Sequence, residues 1–147
     1  MKKLLPIILL IAILAGCDSA PETGPGEVHW DRDVCARCIM AVSDHNYSAQ
    51  IRGGEEGRRT KLYFFDDIGC AVYFLNEQSW YKDPRTEIWV ADWRNGDWID
   101  ATKAWYIPGK TTPMDFGLGA QPDYQDGAFD YDKAIGHIYN RGQQAHR

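Results

Sequence analysis

The sequence predicts an α+β fold made of two similar small units, and three observations carry that expectation. Short strand-like runs flank or precede two helical patterns, giving the order β-β-α-β and then β-β-α. Compact turn signals separate the runs, as in Gly53 to Arg59 (GGEEGRR) and Arg94 to Asp97 (RNGD). Six tryptophans and eight tyrosines supply the bulk that sheet–helix cores need. No low-complexity tract interrupts the folded part, expected over 28–147 with halves at about 28–93 and 94–147.

Each element has its own reason. Tyr47 to Arg52 (YSAQIR) alternates apolar and polar residues, and Lys61 to Phe65 (KLYFF) returns as a second strand across the hydrophilic turn. Asp66 and Asp67 then open a helix, because carboxylates cap free amides and suit the positive end of the helix dipole. Its apolar positions Ile68, Ala71, Val72 and Leu75 recur at helical spacing. Cys70, Tyr73 and Phe74 add a second apolar side, which makes Cys70 a buried, inert thiol. Thr86 to Trp93 (TEIWVADW) is aromatic and β-branched, and the following Asn95-Gly96 pair favours a type I′ turn. Trp98 to Ala101 and Ala104 to Ile107 continue as strand, with an irregularity near Thr102. Phe116 to Ala120 reads as a short Gly-rich strand. Asp130 to Arg141 is the last helix, with Tyr131, Ala134, Ile135 and Ile138 as its inner stripe.

The N-terminus carries an address. Met1-Lys2-Lys3 is a short positive segment, and Leu4 to Leu14 is an uncharged apolar run of eleven residues. That run is too short to span a hydrocarbon core of ~30 Å as a helix, and it suits the core of an export signal. It closes on Leu14-Ala15-Gly16-Cys17, which resembles a bacterial lipobox with residues 1–16 removed and Cys17 lipidated. Asp18 after the cysteine resembles a signal for retention in the inner membrane. Residues 17–27 contain the polar, Pro/Gly-rich stretch SAPETGPGE and read as a flexible tether. Lys2 and Lys3 leave with the leader, so 14 basic residues face 21 acidic ones in the mature chain. Such an acidic balance argues against nucleic acid as a partner.

The segment Cys35-Ala36-Arg37-Cys38-Ile39-Met40 carries the chemistry. Copper(I) is soft and prefers thiolate and thioether donors, which stand here two residues apart at Cys38 and Met40. In an extended segment, residues i and i+2 point to one side, so both sulfurs would approach one ion. The same residues also read as a Cys35–Cys38 disulfide with Met40 as a core residue. A zinc site would want two more ligands at recognisable spacing, and no second CxxC or HxxxH is present. A thioredoxin-like use of CxxC lacks its βαβ context. His45, in the polar turn Ser43-Asp44-His45-Asn46, is a candidate nitrogen ligand or a simple turn residue, and His29 is a similar outsider. His137 reads as a solvated helix residue. No Gly-x-Ser-x-Gly and no phosphate loop is present, so no enzyme is expected.

Along most of the mature chain the sequence resembles the NosL family. The resemblance is carried by Cys35 to Gln50 (CARCIMAVSDHNYSAQ), Phe64 to Cys70 (FFDDIGC), Trp98 to Ala104 (WIDATKA) and Thr112-Pro113-Met114, in the expected order. It implies a domain of two ββαβ-type units and a lipid-anchored accessory protein that binds Cu(I). It implies delivery of copper for assembly of the copper–sulfide centre of nitrous oxide reductase, with docking on a membrane ABC-transporter complex. The family's Cys-x-Met pair falls on Cys38 and Met40, and its methionine after proline falls on Met114. Two departures stand out. The family usually has glycine where this chain has Ile39, and again where it has Asp115. Cys35 lies outside the minimal pattern, as a second thiolate, a resolving thiol or a bystander. The alternative functions are a CxxC thiol-disulfide oxidoreductase and a generic copper-binding envelope lipoprotein.

Overall fold

The structure is a computed structural model that describes residues 22–145. The leader, the Cys17 lipidation site, the first part of the tether and His146 lie outside the described residues. The architecture is α+β: two helices and two small antiparallel sheets. Strands β1 (Ala49–Gly53), β2 (Lys61–Phe65), β3 (Glu87–Ala91) and β4 (Trp98–Asp100) form one sheet in the order β2-β1-β3-β4. Strand β1 is buried along its whole length because it pairs on both sides, with Ile51 opposite Tyr63 on β2 and Ile88 on β3. Strands β5 (Trp105–Pro108) and β6 (Leu118–Gln121) form a two-stranded ribbon. Helix α1 (Ile68–Asn76) packs on β1 and β2, and helix α2 (Tyr131–Ala145) packs on β5 and α1.

Both units share one core, in which Ile51, Phe65, Ile68, Tyr106 and Ile138 are fully buried or nearly so. The Asp92–Ala120 bridge ties the end of the first sheet to β6. Tyr106 carries its hydroxyl into this core and donates it to the Ala101 carbonyl at 2.7 Å. Gly69 matters at the contact between the units. A β-carbon there would overlap the Phe116 ring, so only glycine lets residues 112–117 lie against the start of α1.

Four local expectations change. The irregularity near Thr102 is a full turn that moves the chain from one sheet to the other, with Ala101 and Ala104 buried at its ends. The first sheet therefore runs to Asp100 and the second begins at Trp105. The turn after β3 is not type I′, because only Gly96 takes a positive φ (81°) while Asn95 does not. Asp92 organises it instead, accepting from the Arg94 backbone N–H and from its guanidinium at 2.6 and 2.9 Å. The end of the tether is folded: Gly24 N–H donates to Glu87, Gly26 N–H to Gln50, and Arg52 donates to the Gly24 carbonyl. Hydrogen bonds to the sheet thus reach back to Gly24. The aromatics are less central than composition suggests, since Trp80 and Tyr106 are buried while Tyr81 and Tyr124 are exposed.

Candidate metal centre

Three thiols meet at the joint between the N-terminal loop, β2 and α1. The Sγ atoms of Cys35, Cys38 and Cys70 all lie within 4.8 Å of one another. All three are free; Cys35 and Cys70 have no exposed surface, while Cys38 is half-buried. An ion about 2.3 Å from each of three sulfurs, the length of a zinc–thiolate bond, sets sulfur separations of about 4.0 Å. The cluster can therefore hold a metal ion after side-chain shifts of under about 1 Å.

Sequence order explains little of this meeting; pairing explains it. Cys35 forms a parallel bridge with Phe64 of β2, reinforced by Ala36 N–H donating to the Phe64 carbonyl at 2.9 Å. β2 leads directly into Asp66, Asp67 and α1, so the loop is laid beside the helix start that carries Cys70. Asp67 is the N-cap, extended at φ −152°, with Oδ1 accepting from Gly69 N–H at 2.9 Å and Cys70 N–H at 3.3 Å. Cys70 is thus the third residue of a capped helix, where the dipole favours a thiolate.

The segment from Cys35 to Met40 is a tight turn, not an extended strand. Cys35 N–H donates to the Met40 carbonyl at 2.8 Å, and Ile39 N–H donates back to the Cys35 carbonyl at 3.1 Å. Closing that turn forces Ile39 to φ +64°. The same-side argument for Cys38 and Met40 therefore does not hold: Cys38 turns in toward the other thiols, while Met40 is 53% exposed. Asp115, the other place where the resemblance expects glycine, takes φ +57°. Both departures put an L side chain into a conformation that glycine adopts freely.

Met114 reaches the same neighbourhood by another route. Cys38 Sγ donates to Asp66 Oδ2 at 3.2 Å, while Asp67 Oδ2 accepts from Met114 N–H at 3.3 Å and Thr112 Oγ1 at 2.9 Å. Thr112 Oγ1 in turn accepts from Gly117 N–H at 3.2 Å. Two consecutive carboxylates thus carry the Cys38 loop and the Met114 loop. Only Asp67 caps the helix; Asp66, expected to share that task, faces the thiol.

The thiols share charge unequally. Hydrogen bonds from Cys70 and Cys38 outweigh burial at Cys35 and bring its pKa down to about 4. Burial and the bond to Cys35 push Cys38 up to about 12. The bond to Cys35, with burial, raises Cys70 well above the usual thiol range. Negative charge in the cluster is thus favoured at Cys35, whose sulfur also accepts from the Cys38 backbone N–H at 3.4 Å. Burial raises both Asp66 and Asp67, and Thr112 opposes it at Asp67.

Among the described residues, no histidine belongs to the cluster. The exposed His45 stacks on Trp30 with ring centroids 3.8 Å apart, and His29 Nδ1 is 3.4 Å from Asp33. His137 is not simply solvated, for its Nε2 lies 3.0 Å from the Phe116 carbonyl. Cys70, which its apolar neighbours in sequence mark as an inert core thiol, joins the cluster; its signal is its place in the first helical turn behind Asp66-Asp67. A family model described as NosL matches residues 28–121. No curated protein matches the chain.

Proposed function

The chain belongs to the NosL family, and from that premise we propose that it is a lipid-anchored carrier of copper(I) in the bacterial cell envelope. The observation that carries the reading is a half-exposed thiol, Cys38, backed by two buried free thiols. Soft sulfur donors suit Cu(I), and the ion is cargo rather than a resident cofactor. In this reading Cys38 captures the ion with the exposed Met40 beside it in sequence. Met114, on the loop tied to Asp67, closes the outer site. A low coordination number leaves room for an incoming ligand to attack before the old bonds break, so tight binding and release coexist.

Delivery is to the machinery that assembles the copper–sulfide centre of nitrous oxide reductase, through a membrane ABC-transporter complex. Cys17 carries the lipid, and the domain faces the periplasm from the inner membrane. No helix among the described residues is long and apolar enough to cross a membrane. Tethering confines the search for the partner to a surface and raises its local concentration.

Thiol–disulfide exchange is poorly served by the same geometry. It needs an accessible thiolate, whereas Cys35 has no exposed surface and burial pushes the accessible Cys38 up to about 12. The deciding experiment is competition against a Cu(I) chelator. Cys38→Ser should abolish tight binding with the fold intact, and retained affinity would refute the assignment. Insulin reduction should show little turnover.

A further inference from the structure

We propose that Cys35, Cys38 and Cys70 form an inner three-thiolate seat for copper(I), with Cys38 as the ligand shared between this seat and the outer methionine side. The proposal rests on the carrier reading and deepens it. Three sulfurs from two distant segments converge within 4.8 Å, although Cys70 is separated from Cys38 by 32 positions. Cys35 and Cys70 have no solvent contact, so neither can capture an ion from outside. Cys38 alone reaches both the surface and the buried pair.

The surroundings are built to hold this cluster in place. Cys35 is fixed by its bridge to Phe64 and by the turn closed through Met40. Cys70 is fixed in the first turn of α1 by the Asp67 cap, at the helix end that favours negative charge. The Cys38 N–H lies 3.4 Å from the Cys35 sulfur and points at it, as an amide does toward a metal-bound thiolate. Neither buried thiol is spent in a disulfide.

The chemistry needs no electron transfer. Each sulfur binds as a thiolate and any proton it held passes to solvent, while the copper stays monovalent. An ion first taken by Cys38 at the surface exchanges thioether for thiolate as it moves inward, and returns by the same sulfur. The inner seat would hold the cargo away from water and competing ligands until a partner draws Cys38 outward.

The test loads the whole mature domain with one equivalent of Cu(I) and measures X-ray absorption fine structure beside chelator competition. Wild type should show three sulfurs at a single thiolate distance. Cys35→Ala and Cys70→Ala should each lose one of these sulfurs and weaken binding by at least about tenfold. Near-ultraviolet circular dichroism of the apo variants checks their packing. If either variant fails to fold, the wild-type spectrum decides alone. Fewer than three thiolate sulfurs in wild type, or wild-type affinity in both folded variants, overturns the inner seat. Those results leave the carrier reading standing if Cys38→Ser still loses binding; unchanged binding in Cys38→Ser sinks both.

Discussion

Replacing Ile39 by glycine should stabilise the protein. Ile39 sits at φ +64°, where a β-branched side chain crowds its own backbone. The left-handed conformation costs an L residue roughly 1–2 kcal/mol. Glycine removes that cost but adds about 0.4–1 kcal/mol of unfolded-state entropy. The side chain is 72% exposed, so little burial is lost with it. The net gain is about 0.5–1 kcal/mol, or a rise in Tm of about 2–5 °C for a domain of this size. The assay is thermal and urea unfolding of the metal-free domain, comparing Ile39→Gly, Ile39→Asn and Ile39→Val. Stability should fall in that order, because asparagine tolerates the conformation and valine does not. A glycine variant no more stable than wild type would refute the strained turn, and with it the placement of Cys38 among the other thiols.

Three other perturbations address different parts of the fold. Tyr106→Phe should cost about 1 kcal/mol in urea unfolding, because it strips the Ala101 carbonyl of its buried donor; a neutral result would show that the bond contributes nothing. Asp67→Ala should cost about 2–3 kcal/mol, combining a lost cap with the donors of Thr112 and Met114 left without a partner. It should also speed copper release if Met114 is a ligand, which stopped-flow transfer to a chelator measures. The folded-state pKa of Cys35 is depressed from 9.0 to about 4, so its contribution to stability is fully present above the unfolded value and is lost as pH falls through the folded one. Ultraviolet thiolate absorbance should therefore report about one thiolate per chain at neutral pH, and Cys35→Ser should remove it. An unchanged thiolate signal in Cys35→Ser would place the charge elsewhere.

The elements were legible in the sequence where local chemistry decides them. KLYFF became β2 with the expected bounds, and Asp67 capped α1 where a carboxylate was expected to open it. The β3–β4 turn departs from type I′ because the Asp92–Arg94 pairing overrides the strong local signal of Asn-Gly. Asp92 is buried and commits its carboxylate to that turn, a fact visible only when burial is known. The docking of Gly24 and Gly26 was hidden for a similar reason. Flexible composition says nothing of the Gln50, Arg52 and Glu87 side chains waiting on the sheet.

The sequence by itself determined the family, the α+β class and the sulfur-rich loop from Cys35 to Met40, because these are properties of residue type and near spacing. Only the tertiary structure decided which sulfurs face one another. Pairing of Cys35 with Phe64 brings the loop to the start of α1, and the turn through Ile39 rotates Cys38 inward toward Cys70. A cluster made by strand pairing and a helix cap depends on contacts distant in sequence, and no periodicity or spacing along the chain encodes such a meeting point.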